Sequence, residues 1–474
     1  MSDHDHYGEG IARDYGVEEY VPMEARHYGF WDMASTWVGA NCQPGAWFIG
    51  GSIAAAGFMT AFGVTMIANP LAYLILALVG FMGFKVATTT MGLTRFSFGI
   101  IGSKLPSALN SISLIGWTSV GSFIGGISMS YVFSIIFGWP AYGEPGGWKG
   151  LAFGAGLNAI LTCFLVAYGG SKLIRKAENV SVVLMVVISI WMTYAVLKTF
   201  PISEILAWKP DPNFKMPLGI SIDTMAAFSI SWVPCVAEYT RYCKTKTSAT
   251  VAPLLGATVA LYWFALVGVM AVIASAIQTG TFDPNACDPS SVATSLGLGI
   301  PMLIVIILST ITTDMVALFS GCMSTLNVFP NLNYEKTLWT TGIVTVLIAF
   351  IPIVFGSFMD FFYVFVGYLG AVFPPLIAVM ATDYYFVRKG DYKMEFISDR
   401  KGIYWYTNGI NWVAMGSWIA GMAIYFLLQK LVFIHMTIGI VFPATLITAI
   451  IYGIAGKMSL KNGMGFFIGE KTPG

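Results

Sequence analysis

Ser309, Thr312 and Thr313 stand at i, i+3 and i+4 inside a long apolar run. On a helix that spacing puts three hydroxyls on one face. Hydroxyl oxygens suit a small, hard cation such as sodium, above all if carbonyls from an unwound helix complete its shell. The competing reading is structural, since Ser and Thr in membrane helices also bond the carbonyl one turn back or let helices pack closely. Asp314 follows directly. A carboxylate at mid-membrane costs about 2.5–3.5 kcal/mol on insertion scales. It must therefore face protein or a wet cavity, either as a functional group or as a neutral carboxyl bonded to backbone.

Two other apolar runs carry breaks. One reads Trp37-Val-Gly-Ala-Asn-Cys-Gln-Pro-Gly45, with Gly39, Pro44 and Gly45 mid-span; another reads Ser229-Ile-Ser-Trp-Val-Pro234. Proline removes a donor and clashes with the preceding turn, and a freed carbonyl in a membrane must find a partner or line a cavity. These are the first and sixth spans. Paired breaks there fit a five-plus-five inverted repeat whose substrate site lies where the broken helices meet. Trp117, beside Gly116, Ser119 and Gly121, and Trp232, beside Ser231, could each leave a flat slot for a planar ring. With 15% of the chain aromatic, packing or lipid contact explains a tryptophan equally well.

The composition says what must position these groups. The chain has 474 residues, 10% charged and 56% apolar, and its mean hydropathy is +0.73. An ordinary soluble domain is roughly 25% charged, so a water-soluble globule is excluded, as are a disordered chain, a fibre and a disulfide scaffold. The apolar runs are continuous rather than alternating, which argues for helices and against a barrel. They divide into twelve spans, the first run turning near Gly57–Thr60. The expected organisation is a tail over 1–29, a membrane domain over 30–456 and a tail over 457–474. Within the membrane domain the repeats cover about 30–200 and 222–387, with two further helices at about 408–456.

With the N-terminus inside, 20 of the 25 Lys and Arg fall on the cytoplasmic side; Lys149, Lys198, Lys209, Lys215 and Lys430 fall outside. That bias predicts both termini in the cytoplasm. The polar start lacks the apolar core of a cleavable signal. Of the six cysteines only Cys287 falls in an outer loop, so no disulfide is expected; Cys42, Cys163, Cys235 and Cys322 read as packing residues. The polar stretch 388–407 reads as a hydrated inner loop. Glu238 with Arg241, and Asp383 with Arg388, read as ion pairs, and Asp32 and Asp360 as hydrated span ends. Three of the four histidines lie in the N-terminal tail. No clustered nucleophile and base and no filter-like repeat is visible, so an enzyme or a channel ranks behind a carrier.

Several stretches carry a resemblance. Arg95-Phe-Ser-Phe-Gly-Ile-Ile-Gly-Ser-Lys-Leu-Pro106 with Gly116-Trp117, Ser231-Trp-Val-Pro-Cys-Val-Ala-Glu-Tyr-Thr-Arg-Tyr242, Thr312-Thr313-Asp314 and Ala381-Thr-Asp-Tyr-Tyr385 with Arg388 resemble nucleobase–cation symporter family one, particularly its purine/cytosine permeases. The resemblance extends over about 20–400. It implies an all-α, leucine-transporter-type membrane protein of the cell membrane that imports a planar heterocycle with sodium or protons. By position, Trp117 matches the stacking tryptophan, Gln43 a polar residue facing the ligand, and Trp232 the sixth-helix aromatic. Gly39 and Cys42, through carbonyls, and Ser309, Thr312 and Thr313 match a sodium site. Phe228 is the alternative sixth-helix aromatic. Gly121 stands where many members carry a polar side chain, and Asp314 where they carry asparagine, so the ligand's hydrogen-bond pattern differs. The substrate candidates are thus Trp117, Trp232, Gln43, Ser231, Gly121, Phe228 and Asp314. The ligand stays open among cytosine, a purine, a hydantoin-like ring, a thiamine-precursor pyrimidine and a cationic or amine-bearing heterocycle. No cofactor beyond a sodium ion or proton is expected. The expected partners are that ligand and the bilayer, with no nucleic acid, and the carrier is expected to work as a monomer.

Overall fold

A computed structural model of the chain describes residues 19–283, 286–329, 331–355 and 358–461, without the side chains of 169–176, 178, 179 and 355. Most of both expected tails, and the side chains of Lys172, Arg175 and Lys176, lie outside the described residues. The chain is nearly all helical because each apolar run must satisfy its own backbone in lipid. Eleven helical stretches among the described residues are long and apolar enough to cross a membrane: Phe58–Val86, Lys104–Phe137, Trp148–Tyr168, Val180–Thr199, Leu218–Thr240, Lys246–Thr279, Gly299–Val328, Tyr334–Val354, Phe358–Val387, Trp412–Lys430 and Val441–Lys461. They are the second to twelfth spans.

The first span precedes them in two pieces, Phe30–Asn41 and Pro44–Ile53. Between the pieces Gln43 is extended (φ −145°, ψ 158°), and Pro44 opens the second piece, where a missing N–H costs nothing. A short turn follows, and Gly57 (φ +86°) lets the chain reverse into the second helix. The sixth span differs. It runs Leu218–Ile230, tightens into a 3₁₀ turn at Val233–Cys235, and resumes at Val236–Thr240. Ser231 and Trp232 keep right-handed helical angles, so Pro234 narrows the helix rather than unwinding it.

The third and eighth helices form the most extensive helix pair, and the second packs broadly on the seventh. Helix n therefore meets helix n+5 twice, as an internal repeat requires. The last two helices lie against the tenth. Asp223 of the sixth helix accepts from the backbone of Ile440 (2.7 Å) and Val441 (2.8 Å), capping the twelfth.

The segment after the tenth helix corrects an expectation. It is a packed cover on the Lys/Arg-rich face, not a hydrated loop. Tyr404 is fully buried. Arg388 pairs with Asp383 at 3.4 Å, and Asp383 also accepts from Tyr392 and Tyr452, both at 2.6 Å. Arg95 reaches Ser398 on the cover and Asn327 at the end of the eighth helix, each at 3.1 Å. The charges in this stretch suggest water, but its tyrosines bury their rings and spend their hydroxyls on partners. All six cysteines are free and buried.

Candidate substrate slot

The broken first helix, the tightened sixth and the paired third and eighth enclose a slot of about 40 Å³. Trp117 and Gly121 line it from the third helix, Phe228, Ser231 and Trp232 from the sixth, Gln43 from the first and Asp314 from the eighth. All seven substrate candidates thus share one cavity. Towards the Lys/Arg-rich face Trp232 and Thr313 form a wall shared with a second small cavity, lined also by Trp37, Tyr239 and Ser320. On the opposite face a vestibule of about 470 Å³ reaches the tenth helix at Met359, Tyr363 and Val366.

The rings around Trp117 stand edge-on to it. Phe365 lies 5.2 Å away at 78°, Phe228 5.5 Å at 88° and Phe362 6.4 Å at 69°. None of the three stacks parallel on the indole, and Trp117 lines the slot, where a planar ring could stack on it. Phe362 also touches Phe48 at 4.5 Å, and Phe358 stacks on Phe123 at 4.3 Å and 5°. Phe362 and Phe365 thus touch the tryptophan that lines the slot, while Met359, Tyr363 and Val366 of the same helix line the vestibule. Sequence reasoning missed Phe358, Phe362 and Phe365. Their i, i+4, i+7 spacing was the available signal, submerged in a helix rich in aromatics.

The polar groups are few and oriented. Gln43 Oε1 accepts from the backbone N–H of Gly45 at 2.8 Å, which leaves its amide nitrogen as the free end. Ser231 donates to the Phe228 carbonyl at 2.6 Å, leaving its oxygen able to accept. Asp314, 2% exposed, accepts from Ser122 at 3.0 Å through Oδ2. A Cβ at residue 121 would overlap Oδ1. One turn away, Thr310 accepts from Asn158 at 2.9 Å.

The sodium candidates are more dispersed. Thr313 lines the slot. Thr312 donates to the Ser309 carbonyl at 3.0 Å, an ordinary back-bond. Ser309 is 1% exposed and its hydroxyl has no partner, an orphan that a cation could satisfy. The Gly39 carbonyl accepts from Cys42 N–H at 3.2 Å, and both residues sit at the end of a helix, where carbonyls lose their internal partners. Elsewhere, Glu238 accepts from Thr90 at 2.7 Å, tying the sixth helix to Thr90–Phe98.

A helical core with a broken first helix and a tightened sixth around an aromatic slot fits the architecture of a carrier. The family described as permease for cytosine/purines, uracil, thiamine and allantoin matches residues 20–455, and the chain belongs to it. It is a multi-pass membrane transporter of the nucleobase–cation symporter family, not an enzyme. It is 26% identical to "Putative purine-cytosine permease YxlA" of Bacillus subtilis (strain 168), over 83% of each chain. It is 24% identical to the hydantoin permease of Microbacterium maritypicum, over 72% of this chain and 69% of that one. Among solved structures it resembles Mhp1, a nucleobase-cation-symport-1 family transporter, in a closed conformation with bromovinylhydantoin bound. The TM-score is 0.76 at 18% identity, covering 95% of this chain and 97% of that one. The fold is of the leucine-transporter type, two five-helix repeats plus two helices.

Proposed function

We propose that the protein is a secondary active importer of a nucleobase or related planar heterocycle, coupled to sodium or protons by alternating access. The observation that carries this reading is the slot itself: an aromatic cavity with a few polar side chains, Gln43, Ser231 and Asp314 among them, where the first helix breaks and the sixth tightens. A flat ring gains about 0.5–1.5 kcal/mol per aromatic pair beyond burial, and its edge needs only a few placed partners. The relatives' names support the substrate class. Repeat one spans about 30–200 and repeat two about 222–387. Both termini face the cytoplasm of a cell-membrane protein that works as a monomer.

In this reading sodium sits between the Gly39 and Cys42 carbonyls and Ser309, Thr312 and Thr313. The partnerless Ser309 hydroxyl supports it. The ion would tie the first helix to the eighth and favour the state open to the outside; the filled slot then lets the carrier close. Counterflow of labelled cytosine, adenine, uracil and hydantoin in proteoliposomes, in sodium and in choline, tests this. Saturable counterflow of at least one ring is expected. Non-saturable flux, or none, would sink the reading, and equal rates in choline would replace sodium by protons.

A further inference from the structure

We propose that Asp314 selects rings with an amidine-type edge, an exocyclic amine beside a ring nitrogen that can carry a proton, over imide rings flanked by carbonyls. This rests on the transport reading above and names the substrate class within it.

Three polar side chains on the slot already have one end committed. Gln43 has committed its oxygen to Gly45, so it offers N–H. Ser231 has committed its hydrogen to the Phe228 carbonyl, so it offers lone pairs. Asp314 receives Ser122 on Oδ2 and presents Oδ1 above Gly121, the place where a side chain would otherwise stand. No Lys, Arg or His lines the cavity. The carboxylate therefore lacks a cation from the protein, and a lone charge at this depth is costly. The ligand is the natural source of the missing partner.

An amidine-type edge meets that need with two parallel N–H groups, the geometry that makes carboxylate pairs strong. Trp117, Trp232 and Phe228 line the same space, and aromatic faces attract the positive charge such a ring takes on. An imide ring instead offers the carboxylate a single N–H with a carbonyl on each side, so at least one carbonyl is turned towards the acid. Its oxygens would then lose water without gaining donors, which is how a buried polar site rejects an analogue. The opposing possibility is a protonated Asp314 donating to a carbonyl, which would reverse the preference.

The test uses the purified full chain in nanodiscs with sodium held constant. Calorimetric titration compares cytosine and adenine with uracil and hydantoin. The amino rings are expected to bind at least tenfold tighter. Asp314→Asn should shift the ratio between the classes by tenfold or more towards the imides, because an amide can donate to a carbonyl. A merely structural role would weaken both classes together. Trp117→Ala, which removes a wall and no edge partner, should weaken both without moving the ratio. Equal or tighter imide binding by the unmodified protein overturns the inference while leaving transport standing, as does an unchanged ratio in Asp314→Asn. Binding of neither class overturns the transport reading and this inference with it.

Discussion

The carboxyl of Asp314 occupies the volume that a side chain on Gly121 would fill. The two residues face each other across the broadest helix pair among the described residues. The missing side chain on one helix and the buried acid on the other are a single feature. Gly125, one turn along, stands in the same relation to Asn158.

Gly121→Ala should therefore push the Asp314 carboxyl out of place. Overpacking costs typically about 1–3 kcal/mol, and the slot's acceptor would move with it. A lower thermal midpoint and weaker ligand binding are expected. Adding Asp314→Ala removes the clash, so the two changes should be non-additive in stability. Strict additivity would mean that the helices can separate freely.

Trp117→Ala should weaken binding of every bound ring by tenfold or more, about 1.4 kcal/mol, with folding retained. Phe228, Phe362 and Phe365 are all roughly perpendicular to it, so a stacked ligand is the group that loses a parallel partner. Titration of the purified variant decides, and unchanged affinity would remove the stacking role.

Much of this site was legible because breaks in a membrane helix are costly and therefore visible. Pro44 and Gly45 marked the first break, and Pro234 marked the sixth, although there the helix only tightens. Trp117 became a candidate through the family resemblance, since its small neighbours alone did not separate it from a packing residue. The rings on the tenth helix did not become candidates, because a phenylalanine facing a cavity and one facing lipid look alike in hydropathy. The cover after the tenth helix was hidden for a related reason. Its lysines and arginines suggested water, while the fit of Tyr392, Tyr404 and Tyr406 beneath them depends on tertiary contacts. Whether Ser309 faces an ion depended on a hydrogen-bond partner that spacing alone could not reveal.

Ser309→Ala should remove sodium stimulation of ligand binding while leaving affinity at saturating sodium less affected. The hydroxyl has no protein partner, so its loss strands nothing and costs the fold little. Titrations in sodium and in choline check this. Identical sodium dependence in the variant would exclude Ser309 from the ion's shell.

Asp383→Ala should unlatch the cover. It would leave the Arg388 guanidinium buried and take the acceptor from Tyr392 and Tyr452. Removing one member of a buried pair typically costs about 3–5 kcal/mol. A clear fall in thermal midpoint, with faster proteolysis within 388–411, is expected. Unaltered proteolysis there would show that the cover is held by its rings alone.

Asp288 should make stability depend on pH. It precedes the short helix Pro289–Ser295, and its Oδ1 accepts from the N–H groups of Ser290 (2.9 Å) and Ser291 (3.0 Å). That helix rests on the third through Ser128 and Ser290, whose hydroxyls lie 2.6 Å apart. Oδ2 is buried without a partner, and burial raises the carboxyl above its ordinary value of 3.8 despite the two backbone donors. Tyr131, Tyr142, Cys287 and Asp283 are the other titratable groups close by; the phenols and the thiol remain neutral in the acid range. In the unfolded chain Asp288 ionises near 3.8, whereas in the folded chain it holds its proton to higher pH. Its contribution is therefore fully present below 3.8 and is lost as pH rises through the raised value. Asparagine caps a helix about as well as aspartate and does not titrate. Asp288→Asn should accordingly match the unmodified protein in acid and exceed it in thermal midpoint at neutral pH, whereas Asp288→Ala, which loses the cap and does not titrate either, should stay about 1 kcal/mol below Asp288→Asn at every pH. Midpoints measured from pH 4 to 8 at one scan rate separate these outcomes. A constant difference between Asp288→Asn and the unmodified protein across that range would mean that the buried carboxyl does not titrate there.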